Sequence, residues 1–233
     1  MIRTLSRRTV LASLAAVSAS SLLAACSDSG GDAQAQTSAT PAAPAATPPR
    51  PAGTVDMAKL LEEGSLTDKV LGEADAPITI VEYASMTCGH CANFHRNTLP
   101  AIKENYIDTG KARLVLREFP FDPRAEAGFM LARCADDKYF AMVDVLFQQH
   151  QSWVSVENAR EALLQIARLA GFSQESFEAC LTDQKLLEDV RAVRNRGAKD
   201  FGVDSTPTFF INGNMYKGAL TVAEMSAIID SML

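Results

Sequence analysis

Residues 78–91 read ITIVEYASMTCGHC and connect an apolar segment to a Cys-Gly-His-Cys motif. The apolar segment, residues 78–84, is rich in β-branched and aromatic side chains and predicts a buried strand. A helix is predicted to begin at Cys88. A thiol at a helix N-terminus has a lowered pKa, because unsatisfied N–H groups and the positive end of the helix dipole lie beside it. Cys88 and Cys91 are therefore predicted to be a redox pair that exchanges electrons through a mixed disulfide.

The first 25 residues predict an export signal. Three arginines precede an apolar run rich in Ala, Leu and Ser, which ends in Leu-Ala-Ala-Cys at Cys26. This is the pattern of a lipoprotein signal, in which Cys26 becomes the lipidated first residue of the mature protein. Residues 6–11 also resemble a twin-arginine signal, and an uncleaved anchor over residues 9–25 is the alternative. The sequence favours a lipid-anchored protein at the periplasmic face of a bacterial membrane.

Charge and cysteine content agree with export. The formal net charge of -6 disfavours nucleic acid as a partner. Of the five cysteines, lipidation of Cys26 leaves four, which is enough for two disulfide pairs in an oxidising compartment.

The chain is predicted to contain one folded domain behind a tether. Residues 26–53 comprise the lipidated cysteine and a disordered stretch of mainly Ala, Pro, Thr, Ser and Gln, which has no large apolar side chain to bury. Residues 54–233 are enough for a single core.

Hydrophobic periodicity predicts a β-α-β unit, a helical block and a β-β-α unit. The helix from Cys88 is expected to kink or break at Pro100 and resume to about Thr109, before a second strand at residues 112–119. Helical spacing then predicts an inserted block at about residues 123–196. The helices of this region are predicted at residues 124–135, 138–149, 156–170, 174–181 and 184–201.

The C-terminal residues predict a hairpin and a capped helix. Asn212-Gly213 indicates a tight turn between strands at residues 208–211 and 215–217. Thr221 and Glu224 form a capping-box pattern at the start of the last helix. The buried stripe of that helix is predicted to contain Val222, Met225, Ile228, Ile229 and Leu233.

This order of elements resembles the thioredoxin fold with a helical insertion found in DsbA-like disulfide oxidoreductases. The motifs that carry the resemblance are Cys-Gly-His-Cys at 88–91, Val-Leu-Gly-Glu-Ala-Asp-Ala-Pro at 70–77 and Thr-Pro-Thr-Phe-Phe-Ile-Asn-Gly at 206–213. The resemblance covers most of residues 67–233. It implies an α/β fold class, a thioredoxin fold with an inserted all-helical subdomain.

The resemblance assigns roles to the residues of the motif. It implies that Cys88 is the exposed nucleophile and Cys91 the buried resolving thiol. His90 would favour the Cys88 thiolate as a cation or as a donor to sulfur; the alternative is an exposed helix residue without a partner. The Thr206–Pro207 bond would be cis, with the Thr206 backbone beside the Cys88 sulfur and free to pair with a substrate peptide. An ordinary trans proline is the alternative.

A carboxylate in the first strand is a further candidate. Period-two alternation places Glu82 on the same face as Ile78 and Ile80, where it resembles the buried acid beneath the cysteines of this fold and could relay a proton to or from Cys91. A solvent-facing glutamate is the alternative. His95 is interpreted as a surface or satisfied helix histidine rather than a catalytic group.

The remaining cysteines, Cys134 and Cys180, both fall in the helical insertion. A structural disulfide between two helices is predicted, because neither cysteine has a neighbouring cysteine with which to form a second redox motif. Two buried free thiols are the alternative.

Together these features predict an exported protein disulfide oxidoreductase that forms disulfides in envelope proteins. Its expected partners are reduced or misoxidised envelope proteins and a membrane redox partner, and the protein is expected to be a monomer without cofactor or metal. A disulfide isomerase or reductase of the same fold is an alternative, and a tethered binding or chaperone domain is another. A copper carrier with Cys88, Cys91 and His95 as soft ligands is a less favoured alternative, and c-type haem is excluded because Ala92 follows Cys91.

Overall fold

The computed structural model describes residues 47–233. The predicted signal at 1–25, the predicted lipidation at Cys26 and most of the predicted tether lie outside the described residues. No helix within residues 47–233 combines the length and apolarity that crossing a membrane requires.

The described part of the chain alternates strands and helices around one sheet. In chain order these are β1 Gly53–Thr54, α1 Met57–Leu60, β2 Lys69–Leu71, β3 Ile78–Ala84, α2 Gly89–Asn93, α3 Leu99–Ile102, β4 Ala112–Glu118, α4 Pro123–Cys134, α5 Tyr139–Gln148, α6 His150–Trp153, α7 Ala159–Leu169, α8 Gln174–Thr182, α9 Gln184–Phe201, β5 Thr208–Ile211, β6 Asn214–Lys217 and α10 Val222–Asp230.

The sheet has the strand order β1-β6-β5-β3-β4-β2. Its central strand, β3, pairs in parallel with β4 and antiparallel with β5. Side chains of β3 pack alternately on the two faces: Ile78 and Ile80 lie in a cluster with α3 and α10, whereas Val81 and Tyr83 lie in a cluster with α1 and α9. Because both faces are covered, all seven residues of β3 are buried. The predicted fold class, a thioredoxin fold with a helical insertion, is confirmed.

The helix after the motif does not break at Pro100. The irregularity predicted there is a π-helical turn directly before the proline. A π-helical turn at Phe94–Thr98 connects α2 to α3, and a second at Lys103–Ile107 follows. In the first turn the Leu99 N–H donates to the Phe94 carbonyl, five residues back. This wider turn lies directly before Pro100, in the first turn of α3, where the ring is accommodated and its missing N–H costs little. The helix thus continues to Ile107.

The helical insertion forms a second core against the end of the sheet that precedes the Cys88–Cys91 motif. Five of its helices, α4, α5, α7, α8 and α9, fall at the predicted positions, although α7 begins at Ala159 rather than 156. The short helix α6 was not predicted. Residues of the insertion share a buried cluster with Met86, Cys91 and Ala92, so the insertion packs directly against the start of the motif helix.

The C-terminal hairpin and helix follow the sequence pattern closely. Asn212 and Gly213 have φ values of 42° and 89°, as a tight hairpin turn requires. Both hydrogen bonds of the Thr221–Glu224 capping box are present at α10. The prediction that Leu233 is buried is wrong, because it lies beyond the helix end and is 56% exposed. Met232 packs on the core instead.

The predicted disulfide between Cys134 and Cys180 is present and connects the end of α4 to α8. Replacing both cysteines with alanine should lower the free energy of unfolding by about 4 kcal/mol, because the bond closes a loop of 46 residues and restricts the unfolded chain. Urea denaturation of the wild type and the double variant measures this difference. A change below about 1 kcal/mol would contradict a structural role.

Candidate active site

The first thiol of the motif, Cys88, lies at the N-cap of α2 and is only half-buried. Its pKa is lowered to about 5, chiefly by hydrogen bonding from the Cys91 thiol. Burial acts in the opposite direction, whereas the side chain of Thr206 and the backbone N–H groups of Cys91 and His90 add to the lowering. Cys88 is therefore a thiolate at neutral pH.

The second thiol, Cys91, differs from Cys88 in its burial and in the direction of its pKa shift. Its side chain is fully buried, and burial, the Cys88 thiol and the charge of Glu82 raise its pKa well above the ordinary value. At neutral pH Cys88 is therefore a half-buried thiolate and Cys91 a buried thiol. This asymmetry is what sequential attack and resolution require.

The turn opposite Cys88 contains a cis peptide bond between Thr206 and Pro207, as predicted from the resemblance. Sγ of Cys88 lies 3.3 Å from the Thr206 carbonyl oxygen. The backbone of Thr206 is thus adjacent to the reactive sulfur. Substrate binding by Thr206 and Pro207 stays a prediction.

Beneath the two cysteines, Glu82 and His95 form a buried pair. Nε2 of His95 lies 3.0 and 3.2 Å from the two carboxylate oxygens of Glu82, and both side chains are nearly or fully buried. The His95 ring also stacks on Phe147 at 4.3 Å between centroids. Glu82 is therefore not solvent-facing, and His95 is a satisfied, buried helix histidine. A single ring nitrogen of His95, Nε2, faces the carboxylate of Glu82.

The imidazole of His90, by contrast, is exposed to solvent. The contribution of His90 to the lowered pKa of Cys88 comes from its backbone N–H. The predicted action of the imidazole on the thiolate stays a prediction.

The residue before Cys88 makes contacts that sequence reasoning missed. The Thr87 hydroxyl donates to Oδ2 of Asp122 at 2.6 Å, and Nε2 of His150 donates to the Thr87 carbonyl oxygen at 3.1 Å. Asp122 and His150 belong to the insertion, 35 and 63 residues away in the chain, so no local pattern could indicate them. All three histidines of the chain, His90, His95 and His150, thus lie within or against the motif region.

A metal site finds no support in this arrangement. Within residues 47–233, no group of three or more His, Cys, Asp or Glu side chains is placed to hold a metal ion. His95, the third ligand of the copper alternative, has its Nε2 directed at Glu82.

Comparison with known proteins places the chain among thiol-disulfide proteins. The family model described as Thioredoxin matches residues 65–231. The "Putative protein-disulfide oxidoreductase" of Rickettsia bellii is 36% identical over 168 residues, which cover 71% of this chain and 64% of the relative. The "Probable disulfide bond formation protein D" of Bacillus anthracis is 31% identical over 64% of this chain and 71% of the relative. The alignment thus spans just under two thirds of the length of the Rickettsia bellii protein.

Solved structures show the same likeness. The crystal structure of alpha-DsbA1 from Wolbachia pipientis is similar to this chain with a TM-score of 0.68 and 35% identity, over 71% of this chain and 90% of that one.

Proposed function

The chain belongs to the thioredoxin family, in its DsbA-like branch of protein-disulfide oxidoreductases, and we propose that it is an exported enzyme that forms disulfides in envelope proteins. The observation that carries the proposal is the opposed pKa shifts of the two motif thiols, lowered to about 5 for Cys88 and raised for Cys91. A passive binding domain has no need of this difference.

The two thiols suit stepwise exchange with a dithiol substrate. A substrate thiolate attacks Sγ of Cys88 in the oxidised enzyme, the Cys88–Cys91 bond breaks, and Cys91 leaves as a thiolate that takes up a proton. The second substrate thiolate then attacks the substrate sulfur bonded to Cys88. A substrate disulfide forms, and Cys88 leaves as a stable thiolate. Two electrons have passed to the enzyme.

The low pKa of Cys88 favours net oxidation of substrates. A stabilised thiolate stabilises the reduced enzyme and makes its disulfide more oxidising. Reduced or misoxidised envelope proteins are the proposed substrates, and the backbone at Thr206 and Pro207, beside the Cys88 sulfur, is the proposed platform for their extended segments. A membrane redox partner would remove the two electrons.

The proposed location follows from the N-terminal sequence. An Arg-containing, apolar segment ending at Cys26 supports export, cleavage and lipid anchoring, and residues 27–53 would then separate the domain from the membrane.

A redox titration against glutathione tests the direction of electron flow. Reduced and oxidised glutathione are mixed in known ratios, the protein is quenched in acid, and free thiols are counted after alkylation. The Cys26→Ala/Cys134→Ala/Cys180→Ala variant serves as the control, because only the motif cysteines, Cys88 and Cys91, can then react. We expect a potential clearly above that of thioredoxin, about -270 mV. A value at or below it would indicate a reductase and contradict the proposal.

A further inference from the structure

We propose that His150 is a positioning residue for Cys88, and that with Asp122 it forms a clamp through which the helical insertion fixes the reactive thiol. The inference rests on the proposed function only in taking Cys88 as the reactive group. The clamp consists of His150, Asp122 and the residue they hold, Thr87.

Thr87 is held at two separate atoms from two places in the insertion. Asp122 accepts a hydrogen bond from the hydroxyl, and His150 donates one to the carbonyl oxygen. The hydroxyl also lies 3.3 Å from Oγ of Ser85, which is fully buried. Thr87 therefore has little freedom to rotate or shift.

The hydrogen bond from His150 has a specific consequence for Cys88. The carbonyl of Thr87 and the N–H of Cys88 belong to one planar peptide unit. His150 holds the oxygen of this unit, and the Ser85 carbonyl accepts from the Cys88 N–H at 3.0 Å at the other end. With both ends held, the plane is fixed, and the direction of the Cys88 side chain depends on its own φ and χ1 alone.

The two residues that hold Thr87, Asp122 and His150, are both anchored in the insertion. Oδ1 of Asp122 caps α4 by accepting from the N–H groups of Arg124 and Ala125, which leaves Oδ2 for Thr87. His150 is buried against Trp153, which is itself fully buried and hydrogen-bonded to the Leu146 carbonyl. Asp122 and His150 thus each connect a buried or hydrogen-bonded part of the insertion to Thr87.

The clamp matters because the pKa of Cys88 depends on short-range contacts. The hydrogen bonds from Cys91 and from the N–H groups at the helix start act over only a few ångströms. If the Cys88 side chain is free to move, these bonds weaken and the pKa of Cys88 rises. Fixing the preceding peptide keeps the sulfur at the helix end and beside Thr206. Through His150, the insertion thereby contributes to the reactivity of Cys88 by holding the preceding peptide group rather than the sulfur itself.

The test measures the Cys88 thiolate directly, by absorbance at 240 nm against pH in the reduced protein. Iodoacetamide reactivity of Cys88 identifies which thiol titrates. His150→Phe removes the N–H donor but keeps a ring, His150→Gln restores an amide donor, and Thr87→Val removes only the hydroxyl that Asp122 holds. Phe177→Leu is the control, because it loosens the packing of the insertion at a fully buried site outside the clamp.

We expect a wild-type midpoint near pH 5 and a midpoint raised by about one unit in His150→Phe, which is a roughly tenfold loss of thiolate stabilisation. His150→Gln should recover at least about half of the shift, and Thr87→Val should show a smaller shift in the same direction. Phe177→Leu should lower thermal stability and leave the midpoint unchanged.

Two results would overturn the clamp: a His150→Phe midpoint equal to that of the wild type, or an equal shift in Phe177→Leu, which would indicate general loosening. If His150→Phe does not fold, an unchanged midpoint in Thr87→Val decides against the clamp. Failure of the proposed function would be seen in a separate experiment, the glutathione titration of the wild type. There it would appear as a reduction potential at or below that of thioredoxin, independent of the results with the His150 variants.

Discussion

The Cys88→Ser variant should transfer disulfides to a reduced peptide at least about a thousandfold more slowly than the wild type. Serine keeps the size of the side chain, but without the sulfur of Cys88 the Cys88–Cys91 disulfide that oxidises the substrate cannot form. Cys91 cannot replace Cys88 as the sulfur that a substrate thiolate attacks, because it is fully buried. Oxidation of a fluorescent dithiol peptide by the pre-oxidised protein measures the rate.

The matched control is Cys91→Ser, which keeps the nucleophile and removes the resolving thiol. Treated with glutathione disulfide, this variant should accumulate a stable mixed disulfide at Cys88, detected as the mass of one added glutathione, whereas Cys88→Ser should gain none at this site. Transfer by Cys88→Ser at more than a tenth of the wild-type rate would refute the assigned roles of the two cysteines.

Much of the fold is predictable from the sequence because its signals are local. The strand before the motif, the Asn212-Gly213 turn and the capping box at Thr221 each depend on residues within a few positions of one another. The edge strands β1 and β2, of two and three residues, are too short to show periodicity. The uninterrupted helix at Pro100 depends on a π turn, which has no composition of its own.

The residues of the active site also fall into two groups, those that a local sequence signal predicts and those that it does not. Cys88 and Cys91 form a local motif, and strand alternation is enough to predict that Glu82 points inward. His95 could have been found as its partner, since it lies four residues after Cys91 and so on the same face of the helix. His150 could not, because its contact with Thr87 is made only when the insertion folds back on the sheet. Long-range hydrogen bonds of this kind carry no spacing signal.

Glu82→Gln should slow resolution of the mixed disulfide at pH 7 by about a hundredfold, the usual effect of losing a positioned general base. Cys91 must lose its proton before it can attack Sγ of Cys88 and release the bound thiol. Its pKa is raised, so at pH 7 it needs a nearby acceptor. Glutamine keeps the volume of Glu82 and can still hydrogen-bond to His95, but it cannot accept the proton.

Two effects of this substitution oppose each other, and their sizes decide the outcome. The negative charge of Glu82 is one cause of the raised pKa of Cys91, so its removal alone would ease deprotonation. Burial is the largest cause, however, and it remains in the variant, so Cys91 stays protonated at pH 7. Loss of the acceptor should therefore dominate. The variant should also show a steeper increase of rate with pH, up to about tenfold per unit, because deprotonation then depends on solvent hydroxide.

Release of glutathione from the Cys88 mixed disulfide, followed by stopped flow from pH 6 to 9, measures both effects. Glu118→Gln is the matched control: Glu118 is also fully buried and lies on the adjacent strand, but it pairs with Arg133. This control should resolve at the wild-type rate. A Glu82→Gln variant that resolves as fast as the wild type, or faster, would mean that Glu82 acts on Cys91 only through its charge. The Glu82–His95 pair would then tune the pKa of the buried thiol without transferring its proton.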